Sequence, residues 1–198
     1  MKSQIRKSVK FSLIIAVITF VLAAIFSIVS SSILSEVAWI VGLTIVFIIV
    51  LIGVVFDMLG IASTAASEAP FHAMAAEKVT GAKESVIIIR NADKFASFCN
   101  DVIGDISGIV SGTASAIVVL QIAAIFDKGE GSTIQIVLSV VITSFVAAFT
   151  VGGKAIGKYL AINASTNIIS FAGKVIAFIE NNFKIRLLPK EKKLDKQI

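Results

Sequence analysis

The chain has very few of the residues from which soluble metal and catalytic sites are usually built. Its 198 residues include one cysteine, one histidine, two prolines and one tryptophan, and only 16% of them are charged. A single cysteine excludes an internal disulfide, and one cysteine with one histidine excludes a zinc site of the Cys/His type. Soluble domains carry about a quarter charged residues, so this composition nearly excludes a soluble globular enzyme.

Hydrophobic residues are in excess, at 57% of the chain, with a mean hydropathy of +0.96. This apolar material also excludes disorder. Residues 11–35, 37–56 and 131–153 contain no charge, and residues 95–126 contain only Asp101 and Asp105. Since about 20 apolar residues cross the hydrocarbon core, the sequence predicts an all-α integral membrane protein with four transmembrane helices in two hairpins.

Lysine and arginine indicate the orientation of these helices. Residues 1–10 carry four basic residues and no acid, the turn at 30–36 carries none, and basic residues return in 64–94 and after 153. Because cytoplasmic flanks are rich in Lys and Arg, both termini are predicted to be cytoplasmic, in the cell membrane. The net charge of +5 is attributed to these flanks, and no nucleic-acid partner is expected.

Two segments are predicted to be cytoplasmic interfacial helices. Residues 70–93 read as two short helices broken at Thr80–Gly81, with Pro70 at a helix start. Residues 154–179 read as one amphipathic helix on the bilayer surface, followed by a solvated basic tail at 180–198. The apolar stripe of that helix consists of Ile156, Leu160, Ala164, Ile168, Phe171, Val175 and Phe178.

Three ionisable residues fall within the predicted spans. Asp101 and Asp105, spaced i, i+4, share one helix face, and Asp57 is expected at a similar depth, on the order of 10 Å inside the cytoplasmic boundary. Such residues are costly in lipid and mark functional sites. Carboxylate and hydroxyl oxygens at one depth suit a hard cation such as magnesium, calcium or sodium. The alternative is that these carboxyls are protonated or hydrogen-bonded and serve only in packing.

Small residues repeat along the third span at helical spacing. One row is Gly104, Gly108 and Gly112, and the other is Ser107, Ser111 and Ser115. Small residues at this spacing let helix backbones approach closely, so both rows are interpreted as packing surfaces. His72 is expected at a surface, and Cys99 is expected to be a small buried residue.

Several motifs in chain order resemble the membrane domain of the CorC/cyclin-M (CNNM) magnesium transporters. A helix ending in a Ser-Glu motif is matched by STAASEAPFHAM, and a basic helix pair with a central glycine by AAEKVTGAKESVIIIRNADKF. CNDVIGD stands where the family has an Asn-rich helix start, with Asp101 and Asp105 at two Asn positions. GKAIGK matches the family's Gly-Glu-x-x-Pro-Lys only at the glycine and Lys158.

The resemblance covers residues 57–179, within a predicted CNNM-like domain at 37–179, and implies a usually dimeric fold of three spans with interfacial helices. The helix at 11–35 is then an extra span, and no nucleotide-binding (CBS) pair follows, so a separate cytoplasmic regulator is a possible partner. The family's magnesium site would correspond to Ser63, Ser67, Asp101 and Asp105. Asp57 and Glu68 would then carry a coupled sodium ion or proton, or set the local charge.

The sequence therefore favours a homodimeric, non-enzymatic transporter of a divalent cation, with Mg²⁺ as the expected ion and sodium coupling possible. One alternative is a non-transporting membrane subunit or regulator that keeps the CNNM-like fold. A second alternative, an intramembrane aspartyl hydrolase using Asp57 and Asp101, is weak because the chain has no Gly-x-Gly-Asp-like motif.

Overall fold

A computed structural model describes residues 2–125 and 133–183 of the chain. The predicted connection at 127–132 and most of the basic tail lie outside the described residues. All regular structure in the described ranges is helical. The elements are α1 (Lys2–Glu36), α2 (Trp39–Ala65), α3 (Ala69–Ala76), α4 (Ala82–Arg90), α5 (Ala92–Ser97), a π-helical segment (Phe98–Gly104), α6 (Asp105–Ile125), α7 (Thr133–Asn163) and α8 (Ser165–Phe183).

Four stretches of these helices are long and apolar enough to cross a membrane, which confirms the predicted number. They are Ser12–Glu36, Trp39–Ala65, Ala92–Ile125 and Thr133–Asn163. Two of them continue past the predicted ends: α2 runs nine residues beyond Phe56, and α7 runs ten beyond Gly153. The charges that follow these positions do not end the helices, since no proline or turn motif interrupts the backbone there.

The two predicted interfacial segments differ in how well their helices agree with the structure. Helices α3 and α4 lie on either side of Thr80–Gly81, which confirms the predicted break. The single helix predicted at 154–179 is divided instead, because α7 continues to Asn163 and α8 begins at Ser165. The Asn163 side-chain amide donates to the Tyr159 carbonyl at 2.8 Å, and such local side-chain bonds compete with regular helix.

The described residues form two compact units, of which the first comprises 2–57, 98–125 and 133–157. All four long helices contribute to one buried cluster in this unit. Its buried members are Leu34 from α1, Val46 and Val50 from α2, Ala114 and Val118 from α6, and Val146 from α7. The Gln121 side-chain amide donates to the carbonyls of Leu34 at 2.7 Å and Val37 at 3.0 Å. This polar anchor fixes α6 to the turn between α1 and α2.

The second unit comprises the described residues 58–97 and 158–183. Its core contains Phe71 from α3, Ile88 from α4 and Ile169 from α8, all fully buried. The Ser85 hydroxyl lies within hydrogen-bond distance of the carbonyls of Gly81, at 2.8 Å, and Ile169, at 3.0 Å. Gly81 has a φ of 84°, a left-handed conformation that favours glycine. The start of α4 is therefore held closely against α8.

Helix α8 is apolar on two faces with different surroundings. One face, with Ile169, Ala172 and Ala177, is buried in the second unit. The other carries much of the predicted apolar stripe: Phe171 is 68% exposed and Phe178 is 63% exposed. Phe171, Val175 and Phe178 of the stripe thus face away from the core of the second unit, whereas Ile168 packs against it.

Candidate functional site

A charged pair links two of the long helices in the first unit. Lys154 Nζ on α7 lies 3.7 Å from Asp57 Oδ1 on α2, and the two side chains are 31% and 16% exposed. Both residues fall inside helices that could span a membrane. A lone charge is expensive there, whereas Asp57 and Lys154 each have the other as an oppositely charged neighbour.

This pair lies against Gly104, at the end of the π-helical segment. A β-carbon built on Gly104 would lie 3.7 Å from Asp57 Oδ1 and 3.8 Å from Lys154 Nζ. The depth estimate from sequence placed Asp57 level with the segment from Asp101 to Asp105, and Gly104 belongs to that segment. The absence of a side chain at Gly104 leaves room for both charged groups beside the backbone.

The π-helical segment carries one of the predicted metal ligands and precedes the other. Asp101 lies within it, Asp105 is the first residue of α6, and both side chains are exposed. Cys99 and Val102 are buried on the opposite side. Segments of π-helix within longer helices are often found at functional sites. The two carboxylates therefore share one open face of the first unit.

Asn100 adds a polar atom that the sequence reasoning did not single out. Its side-chain Oδ1 is buried and has no hydrogen-bond partner among the described residues. Buried polar atoms are normally satisfied, and an unpaired one requires an explanation such as a bound water or ion. A lone asparagine in an apolar run gives no sequence signal for this, because its pairing depends on the local helix geometry.

The two serines of the predicted metal set belong to the second unit, whereas Asp101 and Asp105 belong to the first. Ser63 is 1% exposed, and its hydroxyl donates to the Gly60 carbonyl at 2.7 Å. Ser67 is exposed and follows the end of α2. The Ser63 hydroxyl is thus already engaged within its own helix.

Glu68 lies at the start of α3 and is held by two side chains. The His72 ring nitrogen Nε2 lies 2.7 Å from Glu68 Oε1, and Arg90 Nε donates to the same oxygen at 2.6 Å. The hydrogen bond from His72, followed by that from Arg90, lowers the pKa of the Glu68 carboxyl below its ordinary value. This cluster ties α3 to α4 in the second unit.

The two rows of small residues on α6 behave differently. Ser107, Ser111 and Ser115 are all buried, and a β-carbon on Gly53 of α2 would meet the Ser107 side chain. In contrast, no described atom lies within 4 Å of a β-carbon built on Gly108 or Gly112. The serine row is the packing surface of this unit, and those two glycines face outward.

The described residues, 2–125 and 133–183, contain no group of three or more His, Cys, Asp and Glu side chains placed to hold a metal ion. Comparison with known proteins gives no match to a family model, a curated protein or a solved structure. The resemblance to the CorC/cyclin-M family therefore stays a prediction from short motifs.

Proposed function

We propose that the protein is a multi-pass cell-membrane transporter of a divalent cation, with Mg²⁺ as the expected cargo. The observation that carries the proposal is the Asp57–Lys154 pair beside Gly104, in the segment that also bears Asp101 and Asp105. Ionisable groups within apolar spans are functional-site hypotheses by default. Here they gather around one distorted stretch of helix.

The charges around this segment favour a divalent ion. Lys154 pairs with Asp57, so the ionised Asp101 and Asp105 give the segment a formal charge of −2. One divalent cation would neutralise this charge. The Lys154 ammonium compensates Asp57 when no ion is bound, and an arriving cation would weaken that pair. Carboxylate oxygens, with the unpaired Asn100 Oδ1, are the ligand type that magnesium prefers.

The other features of the proposal rest on the sequence. Both termini are cytoplasmic, the exposed Phe171 and Phe178 of α8 lie in the bilayer interface, and the transporter is a homodimer with a possible separate cytoplasmic regulator. Sodium coupling would use Asp57. Glu68 is a poorer coupling group because His72 and Arg90 already engage it.

The test is magnesium flux into proteoliposomes that contain a trapped magnesium dye, with and without a sodium gradient. The Asp101→Asn/Asp105→Asn variant is expected to lose at least about tenfold in rate, since it removes both uncompensated carboxylates. The matched control is Glu77→Gln/Asp93→Asn, which removes two exposed carboxylates from the second unit. Lys154→Gln is expected to change the magnesium concentration for half-maximal rate. Absence of flux in the wild type, or equal loss in the control, would refute the proposal.

A non-transporting membrane subunit is the second candidate. Two observations favour it. The described ranges contain no group of three side chains placed to hold a metal ion, and Gly108 and Gly112 have open faces against which another helix could pack closely. Thermal unfolding with added cations separates the two functions. A transport site is stabilised selectively, by about 2.7 kcal/mol at a hundred times its Kd, whereas a subunit without an ion site is equally stable in magnesium, calcium and sodium.

A further inference from the structure

An apolar groove lies between α1, α2 and the helix that comprises the π-helical segment and α6. Its volume is about 670 Å³, within the range of about 300–1,000 Å³ typical of ligand pockets. Leu22 and Phe26 of α1, Ile49 and Phe56 of α2, and Val110 of α6 contribute to a wall that is almost wholly apolar. All of these residues belong to the first unit. A groove of this composition does not attract water.

The length of the groove matches one leaflet of a bilayer. On α1 the lining runs from Leu22 to Leu34, a distance of about 18 Å at 1.5 Å per residue. Half of a hydrocarbon core is about 15 Å deep. The lining also lies within helices apolar enough to span a membrane, so the medium around the groove is acyl chains. An unfilled groove would forfeit the dispersion contacts of its walls.

One unsatisfied polar group lies within the lining, four residues before Leu34 on α1. Ser30 of α1 lines the groove and is 9% exposed, and its hydroxyl has no hydrogen-bond partner among the described residues. A buried hydroxyl without a partner costs about 1–3 kcal/mol. The other hydroxyl of the wall, on Ser107, is satisfied because it donates to the Ile103 carbonyl at 2.8 Å. The Ser30 hydroxyl therefore has no acceptor for its hydrogen among the described residues, and a ligand could supply one.

The position of Ser30 fits the chemistry of a phospholipid. It lies six residues before the end of α1 at Glu36, about 9 Å along the helix, and begins the run Ser30–Ser32. The ester carbonyls of a phospholipid lie where its acyl chains meet the polar region of the bilayer. We propose that this groove binds one acyl chain of a membrane phospholipid, with the ester carbonyl accepting a hydrogen bond from Ser30.

The test uses phosphatidylcholine vesicles with a trace of phosphatidylcholine that carries a photoactivatable diazirine acyl chain. After illumination, labelled peptides are mapped by mass spectrometry. Peptides covering 22–34 and 98–110 are expected to be labelled several-fold more than the lipid-exposed stretch around Val140 of α7. Equal labelling of all lipid-facing helices would overturn the proposal, because it would indicate only the surrounding bilayer.

Two pairs of variants make the result specific. Ile49→Trp fills the groove and is expected to reduce its labelling at least threefold, whereas Val140→Trp, on an exposed face of α7, leaves it unchanged. If Ile49→Trp does not fold, Ile49→Phe replaces it. Ser30→Ala is expected to shift labelling along the groove, and its neighbour control Ser32→Ala is not. Unchanged labelling in both groove variants would contradict the proposal.

A second copy of the chain is the rival occupant. Disulfide trapping of Phe26→Cys in a Cys99→Ala background measures directly whether two copies meet at the groove, since Cys99 is the sole cysteine of the chain. Efficient cross-linking between copies at Phe26 would overturn the proposal by placing protein in the groove. Little cross-linking together with strong lipid labelling would support it.

Discussion

Gly53 of α2 lies against Ser107 of α6, and replacing it with alanine tests how the first unit is packed. A β-carbon at position 53 would lie 2.8 Å from Ser107 Cβ and 3.3 Å from Ser107 Oγ. The nearer atom is attached directly to the α6 backbone, so it cannot move away as the end of a flexible side chain can. Gly53→Ala therefore requires the two helices to separate.

Two opposing effects set the size of the destabilisation. Overpacking a well-packed core costs about 1–3 kcal/mol, whereas alanine in place of glycine stabilises a helix by roughly 0.5–1 kcal/mol. We expect overpacking to dominate and the net loss to be about 1–2 kcal/mol. The apparent Tm should fall by several degrees, since 1 kcal/mol corresponds to about 2–4 °C at this chain length.

Cys99 supplies the assay without any engineering. It is 2% exposed and is the sole cysteine, so a thiol-reactive dye reports when the first unit opens on heating. The matched controls are Gly108→Ala and Gly112→Ala, whose added methyl groups would meet no described atom within 4 Å. Adding Ser107→Gly to Gly53→Ala should restore part of the loss, with a coupling of at least about 0.5 kcal/mol. If Gly53→Ala is as stable as the controls, or if Ser107→Gly gives no rescue, the described packing of α2 on α6 is wrong.

Two further predictions concern the second unit. Gly173→Ala should make this unit more sensitive to limited proteolysis, because the new methyl group would overlap the Gly81 carbonyl oxygen, whereas the control Gly152→Ala has no described atom within 4 Å. Glu68→Gln should flatten the acid side of the stability profile, measured by unfolding from pH 7 to 3. Folding lowers the Glu68 pKa, chiefly through the hydrogen bond from His72. The stabilisation by Glu68 is therefore fully present above the pKa of the unfolded chain, about 4.3, and is lost as the pH falls through the lower pKa of the folded protein. An unchanged acid limb would contradict this.

The four long helices could be predicted from the sequence because uncharged runs of more than about 20 residues have few alternatives to spanning a bilayer. The residues at which these helices end could not be predicted in the same way. The uncharged runs end at Phe56 and Gly153, yet α2 continues to Ala65 and α7 to Asn163. A charged side chain changes the cost of burial but leaves the backbone hydrogen bonds of the helix intact, so a drop in hydropathy does not mark where a helix ends.

The candidate site was predicted only in part. The Asp57–Lys154 pair and the unpaired Asn100 were missed because both depend on three-dimensional structure that no local sequence pattern encodes. Periodicity placed Asp101 and Asp105 on one face, because their spacing depends on a single helix. The partnership of Asp57 with Lys154 joins two helices distant in the sequence, and no local pattern encodes it. The π-helical segment has no recognised sequence signal either, so the unpaired Asn100 could not have been singled out.

Lys154 changes which carboxylates need a partner. Because its ammonium compensates Asp57, the uncompensated negative charge of the segment rests on Asp101 and Asp105, which are exposed in the described chain. In the membrane location proposed above, a cation or another protein surface would lower the cost of exposing this pair of carboxylates. With a cation, the stability of the protein would depend on which cation is present; with a second copy, it would depend on protein concentration. Unfolding of the wild type and of Asp101→Asn/Asp105→Asn under each condition therefore distinguishes these two partners without assuming that transport occurs.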